Sequence, residues 1–531
     1  MTRSRAPFRR GYGHPWLTLV AAAFGLFMIG LDGTIVAVAN PTIGHHFHAS
    51  LADLQWVTNA YLLALAVTLI SGGKLGDQLG RKRIFLIGTA GFALASLACG
   101  LSTSLGELIA FRAAQGLFGA MMVPQTLAIL RATFPIEKLA VAIGLWTMSS
   151  TIGIASGPIV GGVLISHASW RWIFLVNVPV AVVSMLVGTW VIRESRDQAE
   201  GRRFDLPGIA LLTGTLFTLL WGLIDAEKRG WGHFTPIAWL ISAALLLVLF
   251  VVWEIREERI RQPHIPLSLF RSAQFSAGVV MALAVLMGYY SVLFFVTLYF
   301  QRVHGYTASQ TGVRLLALTG VMGISAIAGS RAVAKIGPRV PLLVGALLSA
   351  AGLLGLSRLG PHTSFSSIWP FLALVGLGFG PAQTAFARAI VGGAPPGQAG
   401  IAGGMTSTAV QVGGMLGLSV LGSVIVSRVT STLPDKLTRA GVPSQLVDQL
   451  QGTGRSIAQG IVPIPRGLSA STAQAITKGD LLAFTAGLDA AMAIAAAIVF
   501  VTGIVAFVAV GISARATRVA SGARRPWPLR A

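Results

Sequence analysis

Apolar runs of about 20 residues, each long enough to cross roughly 30 Å of hydrocarbon as a helix, recur along the whole chain. Short polar or basic segments separate most of them. The windows fall at about 16–38, 54–73, 84–102, 107–130, 139–166, 171–192, 206–225, 235–253, 274–300, 309–330, 340–357, 367–391, 400–427 and 484–512, which predicts fourteen membrane-spanning helices. Only DAEKRGWGHF parts the seventh from the eighth. In the first run, FGLFMIGLDGTIVAVANP, one acid, Asp32, stands among aliphatic neighbours. A carboxylate in hydrocarbon is costly and marks a functional site, unless the helix already meets water there.

Composition supports the membrane reading. Hydrophobic residues make up 54% of the 531 and charged ones 11%, under half the roughly 25% of soluble domains. So thin a polar coating cannot cover a globular surface in water. The 63 glycines fit, because glycine is commoner in membrane helices than in soluble ones. The net charge of +22 raises the question of nucleic acid, which would need its cations gathered in one patch or stripe. Here they fall in short clusters between apolar runs, the pattern that orients a membrane protein.

An even span count puts both termini on one side, together with most of the 40 Lys and Arg residues. These include Arg3, Arg5, Arg9 and Arg10, the arginines after Arg515, and the segments GRKR, RESRDQAEGRR, REERIRQ and RAVAKIGPR. That side is the cytoplasm of a multi-pass protein of the cell membrane. A signal peptide cut after AVA (37–39) is the alternative for the first run; its apolar stretch exceeds a signal core and thirteen spans follow, so it reads as an uncleaved span. Residues 428–483 read as an outer loop with short amphipathic helices, and the single Cys99 can form no internal disulfide.

Several chemistries are missing. There is no G-x-x-x-x-G-K-[ST] phosphate loop, no nucleophile elbow and no His/Cys cluster with metal spacing. HHFH (His45, His46, His48) reads as a solvated tract on the first outer loop, not a metal site. The chain is therefore not expected to be an enzyme or to hold a cofactor. Transport without ATP needs an existing gradient, such as that of protons.

Three stretches carry positive signals. GGKLGDQLGRKR, residues 72–83, sets Gly73, Asp77, Gly80, Arg81, Lys82 and Arg83 in a turn too short for a domain. GSRAVAKIGPR, 329–339, echoes it with Val333 in the place of the aspartate, which suggests an internal duplication. GLWTMSSTIGIASGPIVGG, 144–162, places Gly153, Gly157 and Gly161 on one helix stripe, where a neighbouring backbone can approach, and Pro158 should bend the helix. ELIAFRAAQGLFGA, 107–120, buries Arg112 with Gln115 and Gly116, unless the arginine snorkels to the interface.

Together these resemble the major facilitator superfamily. Residues 72–83 are similar to its loop between spans 2 and 3. Gly144, Gly153, Gly157, Pro158, Gly161 and Gly162 satisfy every position of its antiporter motif, which in the family marks exporters. Arg112, Gln115 and Gly116 resemble its R-x-x-Q-G-x-G motif, with Phe118 replacing the last glycine; in the family that arginine is linked to proton coupling. LDGTIVAVANP resembles L-D-x-T-I-V-N-V-A-L-P, departing at Ala37 and Asn40. QWVTNAYLL and WRWIFLVNVP open spans 2 and 6. With fourteen spans, the resemblance is to the drug:proton antiporter-2 family of EmrB/QacA-type exporters.

The resemblance implies an all-α fold of two pseudo-symmetric six-helix bundles, 1–193 and 263–531, the latter including outer loop 428–483, with two inserted helices in 194–262. It implies proton-coupled export of hydrophobic, in some cases cationic, drugs or toxic molecules by alternating access. Asp32 would hold either a proton or accompany a substrate, with Arg112 and Gln115 beside it in the cavity. Asp77 and Arg81 would latch the inner gate; Asp489 and Arg314 are weaker candidates. The partners implied are a lipophilic small-molecule substrate, protons and membrane lipid, with no nucleic acid and an adaptor protein left open. A dedicated exporter of an endogenous metabolite or self-made antibiotic fits the same residues, and a non-transporting receptor or scaffold is the more distant alternative.

Overall fold

The computed structural model describes residues 14–196, 205–260, 265–395, 398–451 and 468–520. Its elements are helices: α1 Pro15–Phe47, α2 Leu51–Leu79, α3 Arg81–Leu101, α4 Leu105–Thr133, α5 Ile136–His167, α6 Trp172–Leu175, α7 Asn177–Val191, α8 Leu206–Arg229 and α9 Phe234–Ile260. They continue with α10 Ala273–Ser291, α11 Thr297–Arg302, α12 Ala308–Ile336, α13 Arg339–Leu356, α14 Phe365–Gly393, α15 Ala399–Arg439, α16 Ser444–Gln451 and α17 Ala470–Ala520. Fourteen of the described segments are long and apolar enough to span a membrane, as the sequence predicts. The terminal basic clusters lie outside the residues with described side chains.

Local chemistry sets the boundaries. Ser50 with Asp53, Ser104 with Glu107, and Thr307 with Gln310 form reciprocal capping boxes that satisfy the first free N–H groups of α2, α4 and α12. Pro15 opens α1, where its missing N–H costs nothing. At the opposite turns Gly80 (φ 116°) and Gly337 (φ 77°) reverse the chain in a conformation that side chains disfavour. The two stand at matching places in the repeated motif: the α2–α3 turn and the α12–α13 turn.

Several segments differ from their predicted windows. α1 runs on past Pro41 to Phe47, so HHFH is its last helical turn and not a loop, with His48 as a left-handed cap (φ 51°). This extension puts Asp32 at the midpoint of a 33-residue helix, removing the reading of a solvated end. The predicted loop 428–483 is largely helical: α15 extends to Arg439, α16 follows, and α17 begins at Ala470. Residues 452–467 of that loop lie outside the described ones.

α1 packs against α4, α5 and α7, α3 against α7, and α2, α3 and α4 against one another; α10, α12, α13, α14, α15 and α17 form a second group. Two seams join these groups, α5 against α12 and α2 against α15. α8 lies beside the second seam, touching α2, α15 and its hairpin partner α9. On α9, Leu245, Val248 and Val252 are about 60% exposed (61%, 60% and 59%). Such a face is unsuited to water and ordinary in hydrocarbon, where every helix satisfies its own backbone. The chain is an integral membrane protein.

Candidate functional site

Asp32, on α1, is completely buried, and its carboxylate is surrounded by donors from two other helices. Arg112 NH1 donates to Asp32 Oδ2 at 2.6 Å. Gln115 Nε2 and Asn177 Nδ2 donate to Oδ1 at 2.8 and 3.2 Å. Arg112 is itself held from three sides. Its NH1 also donates to Gln115 Oε1 (2.7 Å), its Nε to the Val57 carbonyl (3.1 Å), and its guanidinium lies 4.2 Å from the Tyr61 ring centroid. Ser96 completes the cluster: its hydroxyl accepts from Gln115 and Asn177 at 3.2 and 3.1 Å and donates to the Phe174 carbonyl at 2.8 Å.

The sequence therefore named three members that the fold brings together, and Arg112 does not snorkel. It missed Asn177, Ser96 and Tyr61. Asn177 was visible as a lone amide in WRWIFLVNVP, and Tyr61 in QWVTNAYLL; their partners on other helices were not. The carboxylate does not face an open cavity here. Both oxygens accept, and Asp32 forms a buried, charge-assisted pair with Arg112. Tyr290, from α10, approaches next door: a Cβ on Gly33 would lie 3.5 Å from its hydroxyl.

The glycine motif on α5 works in two directions. A Cβ at Gly153 would strike the Phe27 carbonyl, one at Gly157 the Thr34 hydroxyl, and one at Gly161 would come within 2.8 Å of Ile35, all on α1. Thr34 Oγ1 donates across the same contact to the Ile154 carbonyl at 3.0 Å. Gly162 faces α12 instead, where a Cβ would lie 2.5 Å from the Ala308 carbonyl, and a Cβ on Gly312 would strike the carbonyl of Pro158. Gly144 differs, because nothing lies within 4 Å of an added Cβ. The α5–α12 seam is thus tight from the end carrying Gly162 and Ala308 to the middle, where Thr319 Oγ1 donates to the Ala155 carbonyl (3.2 Å). Beyond it Val141, Leu145 and Met148 of α5 and Ile324 and Ile327 of α12 are exposed.

In the α2–α3 turn, Arg81 of α3 pairs with Asp77 of α2 at 2.8 Å across Gly80. Gly73 lies against Pro124, and a Cβ at Gly76 would strike the Gln125 side chain, which bonds the Gly72 carbonyl (2.7 Å). The backbone N–H groups of Lys82 and Arg83 donate to Glu194 at 3.1 and 3.2 Å, Arg81 N to the Ser195 carbonyl, and Lys82 Nζ to the Thr189 carbonyl. Glu194, which the sequence did not single out, thus caps α3 from the end of α7. Glu194→Ala is expected to cost about 1 kcal/mol, the usual worth of a helix cap, read as a lower thermal midpoint of the purified protein.

The weaker candidates stand apart from the Asp32 cluster. Arg314 bonds the Gln310 carbonyl at 3.1 Å and stacks 3.8 Å from the Tyr306 centroid. Asp489 is partly buried on α17. A buried acid that sequence reasoning placed in the loop, Asp480, instead pairs with Arg302 at 2.9 Å. Among the described residues no cluster of His, Cys, Asp and Glu could hold a metal.

The sequence model of the Major Facilitator Superfamily matches residues 22–418. The tetracenomycin C resistance and export protein of Streptomyces glaucescens is 42% identical over 93% of this chain and 91% of its own length. The multidrug resistance protein Stp of Mycobacterium tuberculosis is 36% identical over 80% of this chain and 78% of its own. Among solved structures, a bacterial homologue of the human lysosomal transporter Spinster is similar in fold, with a TM-score of 0.63 at 17% identity, covering 94% of this chain and 98% of that one.

Proposed function

The chain belongs to the Major Facilitator Superfamily, and from that premise we propose that it exports lipophilic small molecules across the cell membrane in exchange for protons. The curated relatives carry the export reading: the two compared above are a resistance and export protein and a multidrug resistance protein. The proton reading is carried by one observation, the buried pair of Asp32 and Arg112 at the middle of a membrane-spanning helix. An ionised carboxylate so sealed has no use in packing that a leucine would not serve better.

The steps follow from the contacts. The halves 1–193 and 263–531 rock about the α5–α12 and α2–α15 seams, and the inserted pair 194–262 rides on the second. With both termini in the cytoplasm, the end of α5–α12 where Gly162 meets Ala308 is the outer gate, closed here. Movement of α1 against α5, or of Tyr290 against Gly33, separates Asp32 from Arg112. The acid then takes a proton from outside, and its release inside restores the pair. The α2–α3 turn, with Asp77 and Arg81, closes the inner gate in the alternate state.

Inverted membrane vesicles with an acidic interior, given a fluorescent lipophilic drug on the outside, test this reading. Uptake should collapse when an uncoupler dissipates the gradient; uptake indifferent to the uncoupler rules out proton antiport. A second reading, a pump dedicated to one antibiotic-like compound, is favoured by the 42% relative, whose name specifies a single compound. Competition among unrelated drugs in the same vesicles separates a broad exporter from a dedicated one.

A further inference from the structure

A second buried acid lies outside the Asp32 cluster, where three parts of the chain meet. Glu227, two residues before the end of α8, is 1% exposed. Gln55 of α2 donates to it through Nε2, reaching Glu227 Oε1 at 3.0 Å. The third wall is Gly422 of α15, where a Cβ would strike both the Gln55 amide and the Glu227 carboxyl, so only glycine lets the helices close. A turn further along the same seam Asn59 donates to Ser419 at 3.0 Å.

Two buried oxygens in this joint have no partner: Glu227 Oε2 and Gln55 Oε1. A carboxylate cannot satisfy either, since it only accepts, and it would set its negative charge beside the amide oxygen. A carboxylic acid satisfies both. One of its oxygens accepts from Gln55 Nε2–H, and its O–H adds the donor that the joint otherwise lacks, which allows a two-bond acid–amide pairing with Gln55. We infer that Glu227 is a proton-binding site, occupied in this conformation, and that its proton locks α8 onto α2 and α15.

The surrounding charges support this assignment. On α2 the facing acid is Asp53, which Lys228 of α8 already pairs at 2.7 Å. On α8 itself Asp225 is paired with Arg229 at 2.9 Å. α15 presents Ser419, Gly422 and Ser423 to the joint, and its next charge, Arg428, is exposed further along the helix. The acids and bases of α9, such as Glu254, lie at the other end of the hairpin, where Trp253 bonds Asp205; His233 in the α8–α9 turn is exposed. No cation bonds Glu227 among the described residues: the neighbouring Lys228 acts on it only through space and bonds Asp53 instead, so a proton neutralises it most directly. Loss of the proton strands a carboxylate against the Gln55 carbonyl in a dry joint, and the joint opens.

The inference does not depend on what the chain transports, and its test uses purified full-length protein without substrate or gradient. The infrared spectrum at neutral pH should contain a protonated-carboxyl stretching band that Glu227→Gln loses completely and Asp32→Asn retains. Survival of that band at full intensity in Glu227→Gln overturns the assignment. Gln55→Leu, which removes the acceptor, should move the band to higher frequency; an unmoved band overturns the pairing even if Glu227→Gln does not fold. The thermal midpoint of the wild type should fall between pH 6 and pH 9, whereas Glu227→Gln, whose amide keeps both bonds, should not follow it. Parallel pH profiles overturn the lock.

Discussion

Asp32→Asn is expected to abolish gradient-driven efflux, a loss of at least tenfold in initial rate, and also to destabilise the protein. The second effect follows from the geometry. Removing the charge leaves Arg112 buried and 1% exposed with no counter-ion, a change that costs about 3–5 kcal/mol when a buried pair is broken outright. Asparagine retains one acceptor, so the loss should lie at the lower end, and Asp32→Ala at the upper. Loss of transport alone would therefore be ambiguous.

The double variant Asp32→Asn with Arg112→Gln resolves it. Neutralising both partners removes the stranded charge, and replacing a buried pair by neutral groups is commonly neutral or stabilising. Its thermal midpoint should recover toward wild type while efflux stays absent. The two effects are then separate, and the pair is functional. Recovery of efflux with recovery of stability would show the pair to be structural only. So would wild-type efflux in Asp32→Asn.

The second large effect concerns the glycines of α5, and the expected result divides a single motif. Gly157→Val and Gly153→Leu should each abolish transport, because their side chains meet Thr34 and the Phe27 carbonyl of α1 with no room to shift. Overpacking of this kind costs about 1–3 kcal/mol, and here it pushes α5 off the helix that holds Asp32. Gly162→Val should act differently, wedging α5 from Ala308 of α12 and holding the seam open at that end. Gly144→Ala should leave efflux and thermal midpoint within error of wild type, since nothing lies near its Cβ. Equal loss in Gly144→Ala and Gly157→Val would mean that the motif acts through something other than close approach.

The membrane character, the number of spans and the helical class were legible in the sequence because they depend on composition and run length alone. A segment of some 20 apolar residues has one low-energy state in a bilayer, whatever its neighbours. Asp32, Arg112, Gln115 and the glycines were legible for a related reason. Each is a polar group or a missing side chain where hydrocarbon makes it costly or noticeable. Helix ends were less legible, as α1, α15 and α17 show, because a helix continues beyond the bilayer wherever its neighbours support it.

Which costly residues meet one another was decided by the tertiary structure. Asp32, Ser96, Arg112, Gln115 and Asn177 come from α1, α3, α4 and α7, and apart from Arg112 and Gln115, three apart on α4, no spacing within one helix relates them. Glu227 read as part of a polar connector until the fold set it against Gln55 and Gly422, residues 172 and 195 positions away. The same is true of the division within the α5 motif, where six residues form one pattern and only some touch a neighbour. A side chain in a membrane protein takes its meaning from the group that neutralises it or fills its space, and that group lies on another helix. The sequence by itself determined that this chain crosses the membrane with a buried acid at its first span; packing alone determined that the acid is paired, with which residues, and that a second lies at the joint of α2, α8 and α15.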